Sequence, residues 1–203
     1  MAIVVITCII SVMAIAGSIP EGDIEAMVLD GWHITGLFGH MLLHAGWLHL
    51  IGNMLMLWIF GNAICGIMNQ FGFALLYLFT GILAASAQVV FDGSPTIGAS
   101  GAVSGIMGVY LAVYPTNHVT CFWMWFLRGG TFDIAGWLLI LGYLALDLLG
   151  MMGSGDSVAH WAHVGGTVAG FVVGLGMLKL GAFDLQNYDL PTSLDYFSGR
   201  KEQ

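Results

Sequence analysis

The sequence predicts an all-α membrane protein built as a six-transmembrane-helix bundle. Three observations carry that class. The chain has 203 residues, 58% hydrophobic and only 8% charged, where a soluble domain carries about 25% charged residues. That leaves too little polar surface to face water, so the solvent is lipid. The apolar runs are long and unbroken, near the roughly 20 residues that a spanning helix needs, whereas a β-barrel would alternate in short segments. Backbone groups inside lipid must be satisfied within the segment, which makes these runs helices.

In chain order, the first apolar helix is expected from about Ala2 to Ala16. Residues 1–17 lack a basic n-region, and Ser18-Ile19-Pro20 is a poor cleavage site, so this helix is expected to be retained. A turn and an acidic segment follow, with Glu21, Asp23, Glu25 and Asp30. Residues 31–48 mix aromatics, glycines and histidines and read as an interfacial loop with short helical pieces. Further helices are expected over Leu48–Ile67, Gln70–Val90 and Ala99–Val113. Residues 116–133 read as an aromatic loop. The last two helices are expected over Ile134–Leu149 and Val158–Leu180, joined by the Gly-rich turn Gly150–Asp156. Residues 1–180 thus form one membrane domain, and 181–203 a polar, mobile tail.

The formal charge is −8, with only four basic residues, Arg128, Lys179, Arg200 and Lys201; no nucleic-acid partner is expected. An N-terminus in the cytoplasm puts all four on the cytoplasmic side, together with the tail, as the positive-inside rule requires. Short loops point to a bacterial cytoplasmic membrane. Cys8, Cys65 and Cys121 fall in or beside apolar runs without metal-like spacing and read as buried thiols.

Polar groups inside spans are costly, so each is a candidate for function. Ser100 opens its helix between Gly98 and Gly101, where free N–H groups and the helix dipole favour developing negative charge. The orientation puts it level with His163 on the last helix. Gly166, Gly170 and Gly174 repeat along that helix, and Gly101 and Gly105, with a Ser104/Gly108 pair, along the helix of Ser100. Small residues four apart let two backbones nearly touch, which would bring hydroxyl and imidazole within hydrogen-bond reach. A serine nucleophile needs such a base. His160, one turn earlier, is the competing base. His49 and Asn53 share a face of the second helix and supply donors suited to an oxyanion. His40 and His44 lack the glutamate of a helical metalloprotease motif; their expected role is to bond loop carbonyls, and no metal site is expected. Gln88 either lines the same cavity or bonds a loop carbonyl. Asp147, the one carboxylate within a span, would orient His163 as the third member of a triad; Asp156 and a water-filled cavity are the alternatives.

Three separated motifs resemble the rhomboid intramembrane serine proteases: His44-Ala45-Gly46-Trp47-Leu48-His49-Leu50-Ile51-Gly52-Asn53-Met54, then Gly98-Ala99-Ser100-Gly101, then Ala162-His163 with Gly166 and Gly170. The match covers roughly residues 30–175. The resemblance implies a rhomboid-like six-helix core and a Ser100–His163 dyad in a cavity open to the outside. It implies an oxyanion site of His49, Asn53 and the Ser100 N–H, with Gln88 near it. Single-span membrane proteins would be the substrates and the lipid bilayer the medium, with no metal or cofactor. Two positions depart from the family's habit: Cys65 where an acidic residue is common, and Trp32-His33 where Trp-Arg is usual. Two rivals stand beside the protease: a catalytically silent relative that binds transmembrane helices, and a metal or proton carrier built on the histidines.

Overall fold

The computed structural model describes residues 2–125, 128–152, 158–186 and 191–198. The chain runs α1 (Ala2–Ile15), α2 (Glu21–Met27), α3 (Ile34–Gly39), a 3-10 turn (His40–Leu42), α4 (Trp47–Met56), a π turn (Leu57–Gly61), α5 (Asn62–Cys65), α6 (Gln70–Phe91), α7 (Ser100–Val113), β1 (His118–Trp125), β2 (Arg128–Ala135), α8 (Gly136–Met152), α9 (His160–Lys179) and α10 (Ser193–Ser198). All six apolar segments expected from the sequence are helical. Among the described residues, three helices are long and apolar enough to cross a membrane: Trp47–Cys65, running through the π turn, Gln70–Phe91 and His160–Lys179. Ala2–Ile15, Ser100–Val113 and Gly136–Met152 are shorter.

The bundle is built around α7. Twelve of its 14 residues are buried, so it is apolar all round, as a helix enclosed by other helices must be. Ile106, Met107 and Val109 on α7 meet Phe60, Ile64 and Leu57 of the second helical segment in one core. Outward-facing side chains such as Ile9, Leu55, Phe79, Leu148 and Val172 are exposed, which suits lipid contact.

The glycine ladders pack α7 against α9, with a finer division than the sequence spacing predicts. A Cβ on Gly166 would fall on the carbonyl oxygen of Gly101, and one on Gly170 on that of Gly105. Gly105 itself points at α6, where its Cβ would meet Thr80, and Gly101 points between α6 and α9, where its Cβ would meet Ala84 at 2.8 Å and Ala162 at 3.3 Å. Gly108 is the α7 glycine turned to α9, against the Thr167 carbonyl. So Gly166 and Gly170 of α9 admit the α7 backbone, Gly105 of α7 admits α6, Gly108 admits α9, and Gly101 serves both neighbours.

Two regions differ from the sequence expectation. Residues 118–125 and 128–135 pair as antiparallel strands, His118 opposite Ala135 through Trp125 opposite Arg128. The run His-Val-Thr-Cys-Phe-Trp-Met-Trp is rich in β-branched and aromatic residues, which favours a strand. Helix α8 accordingly begins at Gly136, not Ile134. The stretch after Gly181 is also anchored rather than mobile where it is described. Phe183 is buried in the core, the Asp184 N–H donates to the Ile67 carbonyl at 2.7 Å, and the Ser193 hydroxyl donates to the Leu111 carbonyl at 3.0 Å. Asp156, Arg200 and Lys201 lie outside the described residues.

Candidate active site

The site forms at the end of the bundle where α4, α7 and α9 begin and α8 ends. Ser100 is the first residue of α7 and half-buried. The segment leading to it is held by residues between Leu29 and His44. Thr96 and Leu29 exchange backbone hydrogen bonds at 3.0 Å, and the Gly98 N–H donates to the His40 carbonyl at 2.8 Å. The Ala99 N–H donates to His44 Nε2 at 3.4 Å. His44 Nδ1 lies 2.8 Å from the Ser11 hydroxyl, which gives its own proton to the Leu42 carbonyl at 2.7 Å. A hydroxyl has one proton to give. His44 Nδ1 therefore donates to Ser11, and Nε2 is left to accept from Ala99. His44 thus ties α1 to the turn before Ser100, a wider role than bonding loop carbonyls. His40 matches that expectation: its Nδ1 donates to the Gly36 carbonyl at 2.7 Å.

Gly98 has φ +129°, a conformation that L side chains rarely adopt. A Cβ there would stand 2.8 Å from His49 Cε1 and 2.9 Å from its Nε2. The His49 ring therefore lies directly against the turn, and the Ser100 Oγ is 3.5 Å from the same point. His49 Nδ1 accepts from the Ala45 N–H at 3.4 Å, so its ring proton sits on Nε2, the nitrogen beside Gly98. Asn53, one turn along α4 and buried, donates to the His49 carbonyl at 2.9 Å; its amide carries a second N–H.

His163 is buried on α9, with Ala162 3.3 Å from where a Gly101 Cβ would be. Its Nδ1 lies 2.8 Å from Asp147 Oδ1, and His160 Nδ1 lies 2.8 Å from the same oxygen. The Tyr143 ring packs on His163 with centroids 5.6 Å apart at 33°. The structure sets His49 and Ser100 together at Gly98 and packs Gly166 on Gly101, while Gly170 lies one turn farther along α9 against Gly105; among the described residues no hydrogen bond joins Ser100 to His163. Gln88 is 2% exposed, and its Oε1 accepts from the Ala162 N–H at 3.3 Å, an N–H at the start of α9 that it shares with the Ala159 carbonyl at 3.0 Å. Sequence reading missed Tyr143 and Ser11. The four-residue step from Tyr143 to Asp147, and the polar pair Thr7 and Ser11 in an otherwise apolar helix, were the available signals.

Asp147, His160 and His163 offer ligand-type atoms within 4.8 Å of one another. Two imidazole–carboxylate hydrogen bonds account for that approach, and we assign no metal to it.

A family model described as the Rhomboid domain matches residues 31–180. This chain belongs to the rhomboid family. It is 36% identical over 146 residues to Rhomboid protease GluP of Bacillus subtilis (strain 168), covering 70% of this chain and 26% of that protein. It is 30% identical over 169 residues to RHOMBOID-like protein 1 of Arabidopsis thaliana (80% and 40%), and 27% over 161 residues to Rhomboid protein 1, mitochondrial, of Saccharomyces cerevisiae (strain ATCC 204508 / S288c) (73% and 44%). The chain spans from about a quarter to under half the length of these relatives. With its apolar helices, the rhomboid domain makes this an integral membrane protein. Its two departures have local explanations. His33 caps α3, accepting from the Gly36 N–H at 3.1 Å, and Cys65 packs partly buried against the core.

Proposed function

We propose that this rhomboid is an intramembrane serine endopeptidase that cuts single-span membrane proteins, with Ser100 as nucleophile and His163 as base. The observation that supports it most is the packing of Gly166 on the Gly101 carbonyl. That contact joins the first turn of α7, which carries Ser100, to the turn of α9 that carries His163. His163 takes the hydroxyl proton, and the alkoxide attacks the peptide carbonyl. The oxyanion is met by the Ser100 N–H, His49 Nε2–H and Asn53 amide, each such donor worth about 3 kcal/mol. The imidazolium returns its proton to the departing amine, and water, deprotonated by the same imidazole, resolves the acyl-enzyme.

The reading includes a membrane arrangement. The three shorter apolar helices also cross or enter the bilayer, giving six. A 14-residue α7 is about 21 Å long, about 9 Å less than a hydrocarbon core of about 30 Å. With its far end at the opposite face, Ser100 lies below the surface and needs a wet cavity. Both termini face the cytoplasm, by the positions of Arg128 and Lys179, and residues 181–203 form a cytoplasmic tail. The short loops and the likeness to the Bacillus protein favour a bacterial inner membrane. The chemistry assigned here calls on no metal, cofactor or nucleic acid.

A fluorophosphonate probe tests the reading on the purified protein. We expect the label on Ser100 by peptide mapping, and none on Ser100→Ala at an unchanged thermal midpoint. A folded wild type that takes no label, yet retains single-span proteins uncut, would favour the silent helix-binding relative instead.

A further inference from the structure

A carboxylate in the middle of an apolar helix is expensive, and packing alone does not call for one. Asp147 is 5% exposed on α8, yet both partners of its Oδ1 are histidines of α9. The reason for the arrangement lies in the ring it holds. Tyr143 and Asp147 are one turn apart on α8 and so face the same way. His160 and His163, three apart on α9, face them. Tyr143 packs on the His163 ring, but its hydroxyl is 3.5 Å from Nδ1, against 2.8 Å for the carboxylate. Nδ1 therefore donates to Asp147.

We propose that Asp147 is the positioning residue for the base: it fixes His163 as the Nδ1–H tautomer and turns Nε2 to Ser100. The inference rests on the protease reading above. A neutral imidazole has one N–H and one lone pair. With the N–H committed to Asp147, the lone pair is on Nε2, the only nitrogen left to take the Ser100 proton. When it does, both ring nitrogens carry protons, and the carboxylate faces the new positive charge. In this step Asp147 accepts a hydrogen bond and no proton. His160 donates to the same oxygen and so holds that oxygen where Nδ1 needs it. Asp147 Oδ2, buried and without a hydrogen-bond partner among the described residues, leaves Oδ1 as the anchored atom. The site is then a triad with a second histidine on its carboxylate, rather than a dyad oriented by ring packing alone.

The test uses the full chain in detergent at pH 7.5. Labelling of Ser100 by a fluorophosphonate is followed for wild type, Asp147→Asn and Asp147→Glu, beside thermal unfolding. We expect Asp147→Asn to slow labelling at least thirtyfold, and Asp147→Glu to restore at least a third of the wild-type rate. A rate for Asp147→Asn within threefold of wild type would overturn the proposal. A second measurement does not depend on whether that variant folds: 15N spectra of histidine-labelled wild type, with His163 assigned by its loss in His163→Gln. Protonated Nδ1 and bare Nε2 are expected; the opposite tautomer would overturn the proposal. If wild type takes no label, the protease reading fails while the tautomer still judges the Asp147 contact.

Discussion

Single residues at this site are decided by what their neighbours leave them to do. Gly98 combines φ +129° with a Cβ position 2.8 Å from the His49 ring. Gly98→Ala should cost about 1–2 kcal/mol in backbone strain and also displace His49. We expect Ser100 labelling to fall at least tenfold with a modest loss of thermal stability. His44 makes a different prediction. It lies outside the spans, 4% exposed, and burial first, then the neighbouring His49, push its pKa from 6.5 down to about 4. Its folded form is the neutral one that donates to Ser11 and accepts from Ala99. The unfolded chain therefore binds more protons between pH 6.5 and 4, so stability is complete above 6.5 and is lost as pH falls. The loss should reach about 2 kcal/mol between pH 7.5 and 5. Chemical unfolding across that range should show it, and His44→Gln should flatten the slope. An unchanged slope in the variant would assign the dependence to another group.

At the scale of elements, the decisive contact is α7 on α9, and its glycines are not equivalent. Gly170 has the Gly105 carbonyl where its side chain would be, whereas Gly176 on the same helix has nothing within 4 Å. Gly170→Ala should therefore destabilise by about 1–3 kcal/mol through overpacking, and slow Ser100 labelling as α9 moves away. Gly176→Ala should be neutral or stabilise by up to about 1 kcal/mol, the helix-propensity difference. Thermal midpoints of the pair check this directly. The same elements show what could be read beforehand. Spacing of glycines four apart was enough to pair α7 with α9, because such grooves have one use in lipid. It was not enough to say which glycine serves which neighbour, since Gly105 turns its open face to α6 and Gly101 faces both α6 and α9. Ser100, His163, His49 and Asn53 were legible because hydroxyl, imidazole and amide groups are rare inside apolar helices. Gln88 was equally visible as a polar group, but its partner is the Ala162 backbone N–H, and backbone donors carry no sequence signature. The strand pair at 118–125 and 128–135 was hidden by aromatic content that suits a membrane-interface loop and a strand alike.

At the scale of the whole molecule, the described basic residues lie at one end of the bundle. Ser100, His163 and His49 gather where α7, α9 and α4 begin. Arg128 sits in the strand pair that follows the other end of α7, and Lys179 closes the last turn of α9. Charged residues this few can orient a bundle because each Lys or Arg resists crossing, while Asp and Glu contribute little to the choice. The arrangement makes a two-sided prediction that needs no substrate. In a chain with Cys8 and Cys65 replaced by Ala, Cys121 lies on β1, and Ser94 lies exposed on the loop before Ser100. A membrane-impermeant maleimide added to intact bacterial cells should label Ser94→Cys, built with Cys121 also replaced, and should leave Cys121 unmodified until the cells are opened. The reverse pattern would turn the bundle over and put the Ser100 cavity in the cytoplasm. Labelling of Cys121 from outside together with Ser94→Cys from outside would mean that α7 does not cross. That result would remove the argument that Ser100 lies below the surface because its helix is too short.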